Sequence, residues 1–339
     1  MLPGCLFLIG SWYRRHELLT RVAFFMTAND IAGSISGLLG AGLGSMDGIG
    51  GYSGWSWIFF IEGAITALAA VMAFFLILPF PEDSDFLPPE EKAWLLRRLH
   101  HDDKRGEVEK ITTRAALKAL MDWKVICASM LFLSVTITGY SITVFQPTIL
   151  STFGWSDLKS NLLSAPVRIA AGIVSVLFGI WSDKAKRRGP FCLFGFALSI
   201  TGKLFVMLFT NGSLRYMGIY VASIGTYICQ PLVLAWGVNQ VVGNIKRGTL
   251  SSFAVCMGQV GGIISAIVFP KKDSPQYVPG LSTCVAFDVI GIICALSYWI
   301  YGAWENRQRD LGRRDYFRAL PESEREKLGD RHPDFRYTV

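Results

Sequence analysis

The sequence predicts an all-α, polytopic bundle of membrane-spanning helices, and three observations carry that prediction. Only 17% of the 339 residues are charged while 51% are hydrophobic, whereas a soluble domain carries about a quarter charged residues. Apolar runs of about 20 residues recur along the chain, the length that crosses a ~30 Å hydrocarbon core at ~1.5 Å rise per residue. The basic residues gather in alternate connections between those runs.

In chain order, the first apolar stretch, 2–10, is too short to cross, and it has neither the basic start nor the cleavage site of a secretory signal. Full spans are expected over 19–44 and 55–79, then over 124–149, 160–182, 190–210, 214–238, 249–270 and 282–304. The connection 80–121 between the two groups contains PPEEKAWLLRRL, a proline followed by acids and then apolar residues at helical spacing. It reads as an amphipathic helix on the membrane surface, with TRAALKALM as a second one. This connection is too short for a catalytic insert, and the chain has no His cluster, Ser-centred elbow or intramembrane metal pair, so an enzyme is not expected. The seven cysteines form no CxxC pair and all fall in apolar segments, as buried small hydrophobes do. No metal, cofactor or nucleic-acid partner is expected.

One side of the bilayer receives Arg14, Arg15 and Arg21, the basic residues from Lys92 to Lys124, Lys184 to Arg188, Lys246 and Arg247, and all those of the tail 305–339. The other side receives only Lys159, Arg215, Lys271 and Lys272, while Arg168 and Lys203 lie inside spans. Basic connections stay in the cytoplasm. The tail is therefore expected there, in a plasma-membrane protein.

The richest connection is GIWSDKAKRRGP, with Gly179, Asp183, Lys184, Lys186, Arg187 and Arg188. As an anchor, its cations pin the turn to an anionic leaflet, but an acid has no purpose in an anchor. The spacing resembles the loop motif of the major facilitator superfamily. That resemblance implies a gate, in which the acid meets an adjacent helix end and the cations form ion pairs that break and remake. SWYRRHE, MDGIGGYSGWSWIFFIEG, FQPTIL, PLVLAWGVNQVVGNIKR and GQVGGIISAIVFPKKDSPQYVPG narrow the resemblance to fungal anion:cation symporters, the allantoate permease and nicotinate transporter group. Ser56 departs from it, standing where that family usually has a basic residue. The resemblance implies a major facilitator fold lacking the first three and most of the fourth transmembrane helix. Residues 1–79 would form a partial first bundle, 80–121 a linker and 122–304 a complete six-helix second bundle.

Each charge inside a span needs an explanation, because hydrocarbon opposes it. Arg168 follows Pro166; it either snorkels outward or captures a carboxylate bidentately, and the resemblance to anion carriers favours capture. Lys203 and Asp288 lie at similar depth and are expected to neutralise each other. Asp30 and Glu62 are candidates for proton coupling. Asn29 and Asp30 serve either substrate and proton or an interhelical hydrogen bond, and Glu62 either a proton or the headgroups. Gln230, Pro231, Trp236 and Asn239 stud one span, with Tyr140 and Gln146 expected across a cavity, because broken polar helices surround transporter sites. The resemblance implies a secondary carrier of small organic anions such as nicotinate or allantoate, driven by proton symport through alternating access. The rival expectation is a transport-inactive receptor or partner of a full-length carrier.

Overall fold

The computed structural model describes residues 2–14, 16–102, 113–151, 157–270, 277–321 and 329–339. Of the basic residues sorted above, those at 15, 104, 105, 110, 271, 272, 325 and 327 lie outside the described residues. The regular structure is all helical, with no strand among the described residues: α1 (Leu2–Trp12), α2 (Leu18–Gly44), α3 (Gly54–Leu76), α4 (Pro89–Asp102), α5 (Thr113–Leu120), α6 (Trp123–Ser151), α7 (Asp157–Ala185), α8 (Gly189–Leu208), α9 (Gly212–Asn239), α10 (Asn244–Val268) and α11 (Val278–Asp310). Helices α3 and α6 to α11 are seven with the length and apolarity to cross a membrane. Helix α2, of 27 residues, is an eighth long one and carries Arg21, Asn29 and Asp30. Each expected span thus falls on one long helix, in which the interior backbone groups pair along the chain without water.

Local chemistry sets the ends. The Asn211 side chain accepts from the Ser213 amide at 3.0 Å and caps α9. Pro190 and Pro279 occupy the first turns of α8 and α11, where no amide hydrogen is needed. Between α7 and α8 the chain reverses through Lys186 at φ 54°, a left-handed value.

Helix α6 is the hub, packed on α9, α10 and α11. Helices α8 and α9 run against each other so closely that a Cβ on Gly202 or Gly225 would meet the partner's backbone, the small-residue packing that membrane helices use in place of a hydrophobic drive. Helix α7 lies between α9 and α2. Helix α3 rests on α2 and otherwise exposes its apolar surface, with Phe74 83% exposed. The end of the bundle that carries the basic connections is called the basic end below.

There the tail does not hang free. After α11 the chain returns, and residues 329–339 seat between the ends of α6, α8, α9, α10 and α11. The Thr338 carbonyl accepts from Trp236 Nε1 at 2.8 Å and Gln240 Nε2 at 2.6 Å. The Val339 carbonyl accepts from the Arg188 amide at 3.0 Å, and Asn306 and Tyr337 exchange two hydrogen bonds of 2.9 Å. Asp330 pairs with Lys124 and, at 3.1 Å, with Lys246. Burial pushes the Asp330 carboxyl up, but the two ammonium groups beside it outweigh that and hold it below the usual carboxylate range.

Candidate functional site

Helices α2 and α7 run antiparallel and touch at a series of polar points. At the basic end Asp183 accepts from the Thr20 amide at 2.8 Å and the Thr20 hydroxyl at 2.6 Å. Thr20 stands in the first turn of α2, where free amides and the helix dipole favour an anion. Ala23 packs against Gly179 and Thr27 donates to the Gly172 carbonyl at 3.3 Å. Furthest from the basic end, Arg168 reaches across to Gly33. From Thr20 to Gly33 this seam spans ~20 Å at ~1.5 Å per residue.

Arg168 is half-buried and clasped by two carbonyls on different helices. Its Nη1 donates to Gly33 on α2 at 3.0 Å and its Nη2 to Thr143 on α6 at 2.6 Å. Sequence chemistry explains the second acceptor. Pro147 lacks an amide hydrogen, so the carbonyl four residues before it, that of Thr143, has no intrahelical donor. The same logic holds in α9: Pro231 frees the Tyr227 carbonyl, and the Ser175 hydroxyl of α7 donates to it at 2.7 Å. Two proline breaks thus supply acceptors that α7 takes up. Gly33 has no side chain to keep the guanidinium away; a Cβ there would lie 3.2 Å from Nη1. The Tyr227 phenol lies within electrostatic reach of both Asp30 and Arg168. Arg168, Asp30, Tyr227 and Thr143 therefore form one charged cluster where α2, α6, α7 and α9 meet. Arg168 Nε is buried with no hydrogen-bond partner among the described residues.

The other expected site residues divide. Gln146, one turn from Thr143, is 1% exposed. Gln230 is half-buried, one turn beyond Tyr227. Tyr140 instead turns to α10, donating to Gln259 at 3.2 Å. Asn29 is exposed beside the half-buried Asp30, and Glu62 is exposed on α3. Trp236 and Asn239 do not face the cluster. Both are 1% exposed, and Trp236 packs edge-on against Tyr298 while its indole holds the tail. The reason is helical rise: nine residues past Tyr227 put Trp236 ~14 Å nearer the basic end, where residues 329–339 fill the space.

In the gate motif, Asp183 bonds Arg188 at 2.9 Å as well as Thr20, and Arg188 is 1% exposed beneath the tail. Lys184, Lys186 and Arg187 are exposed. Lys203 and Asp288 meet in a dry interior at 2% and 1% exposure. Asp288 also accepts from Thr138 at 3.0 Å and Ser199 at 2.9 Å, and Lys203 donates to Ser199 at 2.7 Å. Sequence reasoning missed Thr143, Tyr227 and Thr20, and it singled out Gly33 only as a point of close helix approach. The proline offset of four residues was the signal for the first of these.

Known proteins resemble this chain in sequence and fold. Residues 1–266 fit the family model described as Major Facilitator Superfamily. The high-affinity nicotinic acid transporter of Saccharomyces cerevisiae is 26% identical over 99% of this chain and 62% of its own length. The major facilitator-type transporter hxnP of Emericella nidulans and an uncharacterized transporter of Schizosaccharomyces pombe are each 27% identical over 91% of this chain and 62% of theirs. The chain thus spans about three-fifths of the length of these curated relatives. The solved structure of the proton:xylose symporter XylE superposes with a TM-score of 0.59, at 16% identity, over 87% of this chain and 66% of that one. At that identity the likeness is one of fold.

Proposed function

The chain belongs to the major facilitator superfamily, and from that premise we propose that it serves as a secondary carrier of small organic anions, with nicotinate-like carboxylates as the substrate class and a proton as the coupled ion. The observation that carries this reading is the Arg168 clasp. A guanidinium inside apolar helices, held by two neutral carbonyls, keeps its positive charge and two forked donors for a carboxylate.

Binding would then be tied to movement. A carboxylate on the fork competes with Gly33 and Thr143, and loss of the Gly33 bond loosens α2 from α7. Asp30, within the electrostatic reach of Arg168, shares that guanidinium with the arriving anion; two carboxylates beside one cation favour entry of a proton. At the basic end, Asp183 on the first turn of α2 would act as the cytoplasmic gate, released when the seam opens. Residues 1–79 and 122–304 would be the two moving bodies, with the basic end in the cytosol and the bilayer a plasma membrane. The substrate reading is further supported by the nicotinic acid transporter among the relatives.

The test is uptake of labelled nicotinate or allantoate by cells expressing the chain. Wild type should accumulate one of them with a dependence on the proton gradient. Arg168→Ala should reduce uptake by at least about 100-fold, the scale of a lost bidentate charge-assisted contact, at unchanged membrane abundance. Uptake retained in Arg168→Ala would overturn the binding role, and no uptake by wild type would favour the receptor or partner reading.

A further inference from the structure

A short line of bonds joins the returning tail to the start of α2. The Asp183 carboxylate divides its two oxygens: Oδ2 takes the amide and the hydroxyl of Thr20, at 2.8 and 2.6 Å, while Oδ1 takes Arg188 Nη2 at 2.9 Å. Arg188 stands at the N-terminal cap of α8, and its own amide donates to the Val339 carbonyl at 3.0 Å. Val339, Arg188, Asp183 and Thr20 are thus bonded in series. Arg188 is 1% exposed and Asp183 8%, so the middle pair acts where water does not compete. The same pair opened to solvent would be worth little.

The tail itself is held as a separable piece. Residues 332–339 carry no regular secondary structure, and such a segment opens at lower cost than packed helices. Trp236 and Gln240, at the end of α9, donate to the Thr338 carbonyl at 2.8 and 2.6 Å. Gly302 of α11 leaves room for the chain: a Cβ there would lie 3.2 Å from Val339 Cγ1 and 3.3 Å from Tyr337 Cβ. Helices α8 and α9, and α6 with α10 and α11, pack on one another directly. Departure of the tail would therefore cut the line to Asp183 without dismantling the bundle.

The geometry points to residues 329–339 as a releasable latch on the cytoplasmic gate. Docked, they brace Arg188 so that Asp183 holds α2; undocked, they let the basic end of the α2–α7 seam open. This deepens the reading of Asp183 as the gate and rests on it. Such coupling is reciprocal, so opening the seam must loosen the tail by the same factor that tail release loosens the seam.

Hydrogen exchange of the full detergent-purified chain, read by mass spectrometry, follows both ends of the line at once. One end is the first turn of α2, where Asp183 shields the Thr20 amide, and the other is the tail, where Asn306 shields the Tyr337 amide at 2.9 Å. Gly302→Leu drives a side chain into the seat while giving α11 a better helix former. The expected result is loss of tail protection and exchange at the start of α2 at least about fivefold faster, the lower end of ordinary coupling between sites. Exchange around Gly202 and Gly225, in the α8–α9 contact, should stay unchanged. Gln240→Met removes one donor to Thr338 from a different helix, and should give a smaller release with a proportionately smaller change at α2. It carries the same test if Gly302→Leu does not fold. Asp183→Asn works from the other end, and should speed exchange at α2 and, by reciprocity, at the tail. Tail release that leaves α2 unchanged, a tail that stays protected in both seat variants, or a tail unmoved by Asp183→Asn although α2 loosens would each overturn the latch and leave Asp183 its role. A start of α2 still protected in Asp183→Asn would overturn the gate reading and the latch with it.

Discussion

Lys203 and Arg168 are both cations set among apolar helices, yet the protein treats them in opposite ways. Lys203 meets a carboxylate, and the hydroxyls of Ser199 and Thr138 fill the remaining valences of that pair, so the charge is closed on itself in a dry interior. Arg168 is only half-buried and meets two backbone carbonyls, which take one hydrogen from each Nη without cancelling its charge. A buried ion pair holds structure because separating it is costly. A carbonyl-held cation between two helices is available to an incoming anion. The difference separates charges that hold the bundle together from charges suited to work.

Breaking the closed pair should give the largest effect. Asp288→Ala leaves Lys203 buried without its partner and should cost about 3–5 kcal/mol, seen as a sharp loss of monodisperse protein and of thermal stability in detergent. The double variant Lys203→Met with Asp288→Leu should recover most of that loss, since apolar replacement of a whole buried pair is often neutral or better. A double variant as unstable as the single one would mean that the pair also shapes the helix contact.

A subtler change sharpens the contrast at Arg168. Pro147→Ala returns an amide hydrogen to the Thr143 carbonyl, which then competes with Nη2 for that acceptor. The guanidinium should be easier for a carboxylate to capture, with anion affinity rising by roughly tenfold, the scale of one hydrogen bond to a charged group. Titration of nicotinate against Pro147→Ala and wild type reads this, and unchanged or weaker affinity would show that the clasp does not compete with the substrate.

The smallest expected effect concerns the tail. The folded pKa of Asp330 is lowered, so its contribution to tail docking is present above the ordinary carboxylate value of about 4. It is lost as pH falls through the lowered folded value. Protection of the tail from protease should therefore be flat from about pH 5 to 8 and weaken only at acid pH. Asp330→Asn should shift protection by about 1 kcal/mol or less at neutral pH, since Tyr337, Thr338 and Val339 keep their own bonds.

The sequence by itself determined the helices, because hydrocarbon demands long apolar segments with internally paired backbones. It also determined which connections share the basic end, and it marked with Pro147 and Pro231 the carbonyls that would need outside donors. Residue counting likewise placed Lys203 and Asp288 at one depth. Only the tertiary structure decided which groups take up those carbonyls, for a freed acceptor names no donor: Arg168 and Ser175 reach them from α7 across distances of 25 and 52 residues in the chain. The same holds for Trp236 and Asn239, whose place on a broken polar helix pointed to a cavity. The returning tail claims the indole of Trp236 instead, because packing between remote segments leaves no periodicity in either one.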